Sequence, residues 1–158
     1  MRVQVSTSGF ADLERALLEF KPATAKAVLR RAGIKALEPM AAAARRLAPD
    51  DPKTPAPDLH TSIDVSSKQK SGRAAAIRED GPNTVTLSMG PTKDGYPQAL
   101  PQEFGTKDQP AHPFMRPAWD AGHTQLLEDV QAELTGEIAR ASARAAARAA
   151  QAAALKGL

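Results

Sequence analysis

The sequence predicts an α+β fold, in which a small antiparallel sheet of three to four strands packs against two N-terminal helices and one long C-terminal helix. Three observations support this prediction. Apolar residues recur at three- and four-residue steps before residue 48 and after residue 117, which is the spacing of amphipathic helices. Between these regions, short runs alternate apolar and polar residues, as half-buried strands do. With 158 residues, the chain is long enough for one domain with its own core.

Two helices are predicted near the N-terminus. The first follows Ser8 and Gly9, either of which can cap it, and Asp12 lies near its positive end. The second runs from about Ala23–Leu47, and Pro39 inside it predicts a kink or a break. Its predicted buried positions share one face: Val28, Leu29, Ala32, Ala36, Leu37, Met40, Ala44 and Leu47.

Four short segments are candidate strands. Residues 2–6 alternate in polarity and predict a short edge strand. Three more strands are predicted at Ser62–Ser66, Ala74–Arg78 and Thr84–Met89. In the last of these every second residue is apolar, and residues 79–83 have the composition of a turn, so the last two strands are predicted to form a hairpin.

Residues 96–119, which we call the clamp segment, connect the predicted sheet to the last helix and hold four of the six aromatic side chains. Gly105 predicts a sharp turn with a positive φ. Pro110 and Pro113 predict extended chain before them, and Pro117 suits the first turn of the last helix. The aromatic residues predicted to pin this segment to the core are Phe104, Phe114 and Trp119.

The last helix is predicted to start at Pro117. Its apolar stripe is Trp119, Leu126, Leu127, Val130, Leu134 and Ile138. Beyond Ile138 the sequence is mostly alanine, with an arginine at every fourth position. A helix of roughly 35 residues would be about 50 Å long, so its end is expected to project or to pack on another subunit. We therefore divide the chain into an α+β domain, 1–138, and an Ala/Arg-rich helical extension, 139–158.

The positive charge is concentrated in this extension. The net charge of the whole chain is +3, whereas residues 139–158 contain four basic residues and no acid. Three interpretations of the arginines stay open: a solvated helix face, contact with nucleic-acid phosphates, or contact with acids such as Glu128 or Glu133 of a neighbouring subunit. A basic loop at residues 66–73 is either a solvated tip or faces a channel or a partner ring. The basic residues in question are Lys68, Lys70, Arg73, Arg140, Arg144 and Arg148.

The sequence contains no recognisable catalytic or metal-binding pattern. Its three histidines, His60, His112 and His123, lack metal-ligand spacing, and there is no cysteine. No glycine-rich phosphate loop follows a predicted strand. We therefore expect that the protein is not an enzyme and holds no cofactor or metal. No apolar run approaches the ~20 residues of a membrane span, and the lack of cysteine suits assembly in a reducing cytoplasm.

Two short motifs in the clamp segment resemble a known family. Glu-Phe-Gly-Thr at residues 103–106 and Pro-Phe-Met-Arg-Pro-Ala at residues 113–118 are similar to a motif pair of tailed-phage neck proteins. This family is typed by the tenth gene product of a Hong Kong coliphage, and its members are called head–tail joining or tail-completion proteins. The resemblance covers roughly residues 5–121 and excludes the Ala/Arg-rich extension. The residues expected to form a structural clamp are Glu103, Phe104, Gly105, Thr106, Pro113, Phe114, Arg116, Pro117 and Trp119.

The resemblance implies a structural virion protein of the phage neck, assembled in the cytoplasm of the bacterial host. Such a protein would form a homo-oligomeric ring of six- or twelve-fold symmetry between the DNA-filled head and the tail. Head-side connector or stopper proteins would bind one face, tail terminator or tail-tube proteins the other, and double-stranded DNA would pass through the lumen. The alternative is a nucleic-acid-binding phage accessory protein that uses the basic C-terminal helix.

Overall fold

The computed structural model of the chain describes residues 9–49, 58–67 and 84–156. Within these ranges the fold is α+β and mostly helical, with six helices and one antiparallel sheet of two strands. The elements in chain order are α1 (Phe10–Leu18), α2 (Pro22–Leu47), α3 (Leu59–Ser62), β1 (Ile63–Ser66), β2 (Ser88–Pro91), α4 (Tyr96–Phe104), α5 (Met115–Gly122) and α6 (Leu126–Lys156). No described helix is both long and apolar enough to cross a membrane.

The two strands pair with Ile63 opposite Pro91 and Ser66 opposite Ser88. The predicted strand at Thr84–Met89 is therefore wrong at its bounds, because pairing begins at Ser88 and continues through Pro91. Pro91 is tolerated because it lies at the end of the strand, where the missing N–H donor matters least. The predicted strands at residues 2–6 and 74–78 lie outside the described residues, and so does the predicted turn at residues 79–83.

Helix α2 is continuous through Pro39, so the predicted break is wrong. Pro39 and Lys35 are both exposed residues. The proline ring removes the hydrogen bond that would have joined the nitrogen of residue 39 to the carbonyl of Lys35. Helix α2 therefore lacks one backbone hydrogen bond at this point but is not broken. Val28 and Ala32 are buried as predicted, whereas Leu47 is exposed, contrary to prediction.

Helix α2 contributes to both apolar clusters of the core. The first cluster joins α2 to the sheet, α4 and α5: Met40, Ala44, Ala48, Leu59, Ile63, Ala99, Phe114 and Ala118. The second joins α2 to α6, with α1 packed against it: Val28, Ala32, Leu134 and Ala141. Many of these residues are alanine, so the helices pack closely without large side chains.

The predicted single C-terminal helix is two helices in the structure. The first, α5, begins at Met115 instead of Pro117, and residues 123–125 form a turn before α6. A Cβ on Gly122 would lie 3.1 Å from the Cε of Met40, so this glycine brings the end of α5 close to α2. Helix α6 has 31 residues and spans about 46 Å at 1.5 Å per residue. Its residues 142–155 are all exposed, which confirms that its end projects from the described domain.

Candidate functional site

The first half of the clamp segment is helical. Sequence analysis treats residues 96–119 as a connector, but residues 96–104 form α4. Pro97 lies in the first turn, where no intrahelical N–H bond is needed, so only Pro101 removes a helical hydrogen bond. The prolines therefore make this helix difficult to predict from the sequence, but they do not prevent it from forming.

The carboxylate of Glu103, at the end of α4, caps the beginning of α5. It is buried and accepts hydrogen bonds from the backbone N–H groups of Phe114, Met115 and Arg116, at 2.8, 2.9 and 3.1 Å. These are donors of the first turn of a helix, which lack partners within that helix. Burial alone would raise the pKa of Glu103, but these hydrogen bonds and one from the Arg116 side chain outweigh it and lower the pKa below its usual value. Glu103 is thus held as a carboxylate.

Arg116 closes the same junction from the solvent side. Its Nε donates to Oε1 of Glu103 at 3.1 Å, and its Nη2 donates to the backbone carbonyl of Glu103 at 3.1 Å. Glu103 and Arg116 thus form an ion pair across the clamp. The guanidinium also lies over the ring of Phe104, with 5.3 Å from Cζ to the ring centroid. One arginine therefore binds both the buried carboxylate and an exposed aromatic ring.

The three aromatic residues predicted to be core residues have different environments. Phe114 is fully buried, with 0% of its surface exposed, as predicted. Phe104 and Trp119 are 64% and 50% exposed, so their core prediction is wrong. Glu103 and Phe104 are adjacent on α4 and point about 100° apart, and in this packing Glu103 faces the core while Phe104 faces solvent.

Gly105 ends α4 with a φ of 74°, which confirms the predicted sharp turn. A Cβ at this position would lie 2.9 Å from the backbone nitrogen of Ala111. The loop that follows returns to α4, where the N–H of His112 donates to the carbonyl of Gln102 at 2.7 Å. Thr106 closes the loop tip, with its N–H 2.9 Å from the carbonyl of Gln109. Pro113 is exposed at the end of this loop, and Pro117 lies in the first turn of α5.

The surface around the clamp is apolar and aromatic. On α4, every fourth residue is a large exposed side chain: Tyr96, Leu100 and Phe104. On α5, the ring of Trp119 stacks on His123 with 5.9 Å between ring centroids. An open cleft of about 330 Å³ lies beside Trp119 and is lined by Leu37, Leu87, Met89, Met115, Arg116 and Trp119. Exposed tryptophan, tyrosine and arginine are the residues that most often dominate protein–protein binding.

A second polar cluster lies between α2 and α6. Glu137 is 3% exposed and accepts hydrogen bonds from Arg31 at 2.7 Å, Lys35 at 2.9 Å and Arg140 at 2.8 Å. The hydrogen bonds of Arg31 and then Lys35 lower the pKa of Glu137 to about 2, against the opposing effect of burial. Glu133 lies at the edge of the cluster, 3.7 Å from Lys35. This cluster fixes how α6 packs on α2.

Sequence analysis misses this cluster because it places Glu137 off the apolar stripe of the last helix. The signal is present in the spacing. Glu137 follows the buried Leu134 by three residues and precedes the buried Ala141 by four, which places it on the buried face. Two cations four residues apart on α2, Arg31 and Lys35, are the matching partners.

The six basic residues proposed as partner or DNA contacts fall into three groups. Arg140 pairs with Glu137 and Glu133 of its own chain. Arg144 and Arg148 are exposed and make no ion pair within the described part of the chain. The remaining three, Lys68, Lys70 and Arg73, lie outside the described residues.

Among residues 9–49, 58–67 and 84–156 no group of three or more His, Cys, Asp or Glu side chains is placed to hold a metal ion. Comparisons with protein-family models, with curated proteins and with solved structures find no match for this chain. The site is therefore interpreted from its own residues.

Proposed function

We propose that this protein is a structural subunit of a phage neck, which forms a ring that joins the DNA-filled head to the tail. In this proposal it is not an enzyme, and it acts through the shape and the chemistry of its surface. Its location is the head–tail interface of the virion, after assembly in the cytoplasm of the bacterial host. Head-side connector or stopper proteins bind one face of the ring, and tail terminator or tail-tube proteins bind the other.

The junction built on Glu103 carries this proposal. The two motifs that resemble neck proteins, residues 103–106 and 113–118, are separate in the sequence, but the Glu103 carboxylate binds the backbone of the second motif directly. Gly105 provides the turn that makes this contact possible. The two motifs therefore form one structural unit, as we expect if they share one function.

Two unlike exposed surfaces support the ring. One is the aromatic and apolar surface of α4 and α5, around Phe104 and Trp119. The other is the projecting half of α6, which is long, alanine-rich and basic. A subunit with two different contact surfaces can associate head to tail, and such contacts close into rings when the rotation between subunits permits it. The ring that we propose has six- or twelve-fold symmetry.

The proposal includes a sheet of three to four strands, larger than the two strands described. Residues 74–78 would add a strand next to β2, connected to it through residues 79–87. Backbone hydrogen exchange tests this, because slow exchange at residues 74–78 requires hydrogen-bonded strand pairing.

The experiment that tests the function is a phage with a stop codon at Phe10. We expect the mutant to package its genome and to polymerise tails, but to produce heads and tails that are not joined. Electron microscopy of the lysate measures this, and wild-type protein supplied from a plasmid is the control that restores joined virions. Normal numbers of complete virions without the protein would exclude the neck function, and empty heads would indicate an earlier role in DNA packaging.

A further inference from the structure

The exposed arginines of α6 continue the face of the helix that packs on α2. Leu134, Glu137 and Ala141 are buried on that face, and Arg144 and Arg148 follow at the same three- and four-residue steps. Arg144 and Arg148 are therefore not on the outer side of the helix. They extend the α2–α6 layer beyond the point at which its apolar packing ends.

The cluster around Glu137 adds further positive charge to the same region. Two carboxylates, Glu137 and Glu133, face three cations, Arg31, Lys35 and Arg140, which leaves one excess positive charge. The side chains of these three cations are 44–49% exposed, so each is partly available to solvent. Their hydrogen bonds, those of Arg31 and Lys35 first, lower the pKa of Glu137 to about 2 and keep it a carboxylate.

The exposed arginines of α6 and the cations around Glu137 together form a basic strip, to which both α2 and α6 contribute. Arg140, Arg144 and Arg148 are spaced one turn apart along α6, about 6 Å per step. Arg140 pairs with Glu137 and Glu133, but beyond Glu137 the sequence contains no acid that could pair with Arg144 or Arg148. The basic strip consists of Arg31, Lys35, Arg140, Arg144 and Arg148.

We propose that this basic strip binds the phosphate backbone of double-stranded DNA. Phosphates of a duplex form a continuous row of negative charge, and a row of arginines spaced along a rigid helix matches it without reading sequence. No aromatic residue occurs between the arginines of α6, so the strip lacks the stacking platforms that single strands require. The proposal deepens the neck function by naming a partner, and it rests on that function only for the place where the protein meets DNA.

The test measures binding of the full-length protein to a short duplex of mixed sequence by fluorescence anisotropy at several salt concentrations. Arg144→Gln/Arg148→Gln removes two exposed charges that have no partner in the described chain. We expect the affinity of this variant to fall about tenfold, and the slope of log affinity against log salt concentration to decrease by about 2, since each phosphate contact contributes about 0.9.

The matched control is Arg46→Gln/Lys93→Gln, which removes the same charge from exposed positions elsewhere on the domain. It should retain the wild-type slope. Equal slopes for the two double variants would overturn the proposal. Binding to single strands that is at least as strong as to duplex, or equal binding to vesicles of anionic lipid, would also overturn it.

A change in oligomeric state gives the remaining outcome. Analytical ultracentrifugation compares the wild-type protein and both variants without DNA. If Arg144→Gln/Arg148→Gln dissociates an oligomer and leaves duplex affinity unchanged, the strip is a subunit contact and the DNA proposal is wrong. None of these measurements uses the assembled particle, so a negative result leaves the neck function standing.

Discussion

The side chain of Arg116 binds Glu103 through two separate hydrogen bonds, one from Nε to the side-chain carboxylate and one from Nη2 to the backbone carbonyl, each 3.1 Å long. The carboxylate is buried while the guanidinium is 62% exposed, so most of the contribution comes from the backbone N–H groups that Glu103 also binds. An exposed partner alone adds little to stability. The stability of this junction therefore depends on Glu103 more than on Arg116.

Glu103→Gln should destabilise the protein by about 1–3 kcal/mol, because an amide accepts these backbone hydrogen bonds less well than a carboxylate and adds a buried donor. Urea unfolding measures the change. Glu128→Gln, which alters an exposed carboxylate, is the control and should shift the midpoint very little. Equal effects of the two substitutions would mean that the capping of α5 contributes nothing.

Gly105→Ala should destabilise the fold by about 1–2 kcal/mol or more, because a side chain resists the positive φ and the new Cβ would crowd the nitrogen of Ala111. Gly90→Ala is the control, since a Cβ there meets no atom within 4 Å. Thermal melts of both variants compare the two positions. A melting temperature for Gly105→Ala equal to that of the control would show that the turn tolerates a side chain.

Phe114→Ala and Phe104→Ala should separate stability from assembly. Phe114 is fully buried, so its truncation should cost about 3–5 kcal/mol. Phe104 is exposed beside Arg116, so its truncation should change stability by less than about 1 kcal/mol and instead weaken subunit or partner contacts. Urea unfolding and sedimentation measure the two effects. Similar destabilisation by both substitutions would contradict the exposed position of Phe104.

Stability should also fall in acid, with Glu137 as one cause. A carboxyl group whose pKa is lowered by folding stabilises the protein fully above its unfolded pKa of about 4.5, and this contribution is lost as the pH falls toward about 2. Glu137→Gln should therefore be less stable than wild type at neutral pH and should lose less stability between these two pH values. Urea midpoints across that range measure the slope, and parallel curves for the two proteins would refute the assignment.

The effect of truncating α6 on stability should depend on the residue at which the shortened chain ends. A stop after Ser142 removes residues 143–155, which are all exposed, together with the last three residues of the chain, so the domain should keep its stability. A stop after Ile138 also removes Arg140 and the buried Ala141, and should destabilise the α2–α6 contact. Circular dichroism melts of the two truncations provide the measurement. An unfolded protein after the stop at Ser142 would show that the projecting half supports its own domain.

The sequence predicts most helices because their signals are local. The apolar spacing of α2 is read from one short segment of the sequence. The turn with positive φ at Gly105 is likewise predicted from the residue itself. The helix α4 is missed because Pro97 and Pro101 mask it, and the division between α5 and α6 is missed because the predicted apolar stripe continues from Trp119 to Leu126 across the turn at residues 123–125.

The candidate site is only partly predictable for a similar reason. The motif singles out Glu103 and Arg116 as clamp residues, but not that they pair or which of them is buried. The network of Glu137 joins residues about 100 positions apart, and a charged residue on a core face becomes visible only when its partner helix is placed beside it. Exposure of Phe104 and Trp119 likewise depends on the packing of other helices.

The projecting half of α6 has a thermodynamic consequence of its own. Residues 142–155 bury nothing in the domain, so their helix is maintained by the conformational preference of alanine and by continuity with the packed half. Such a segment loses helix gradually on heating, independently of cooperative unfolding, and far-ultraviolet circular dichroism should decline with a shallow slope before the main transition. A partner that binds this segment meets a helix that is already formed, so little chain entropy is lost on association.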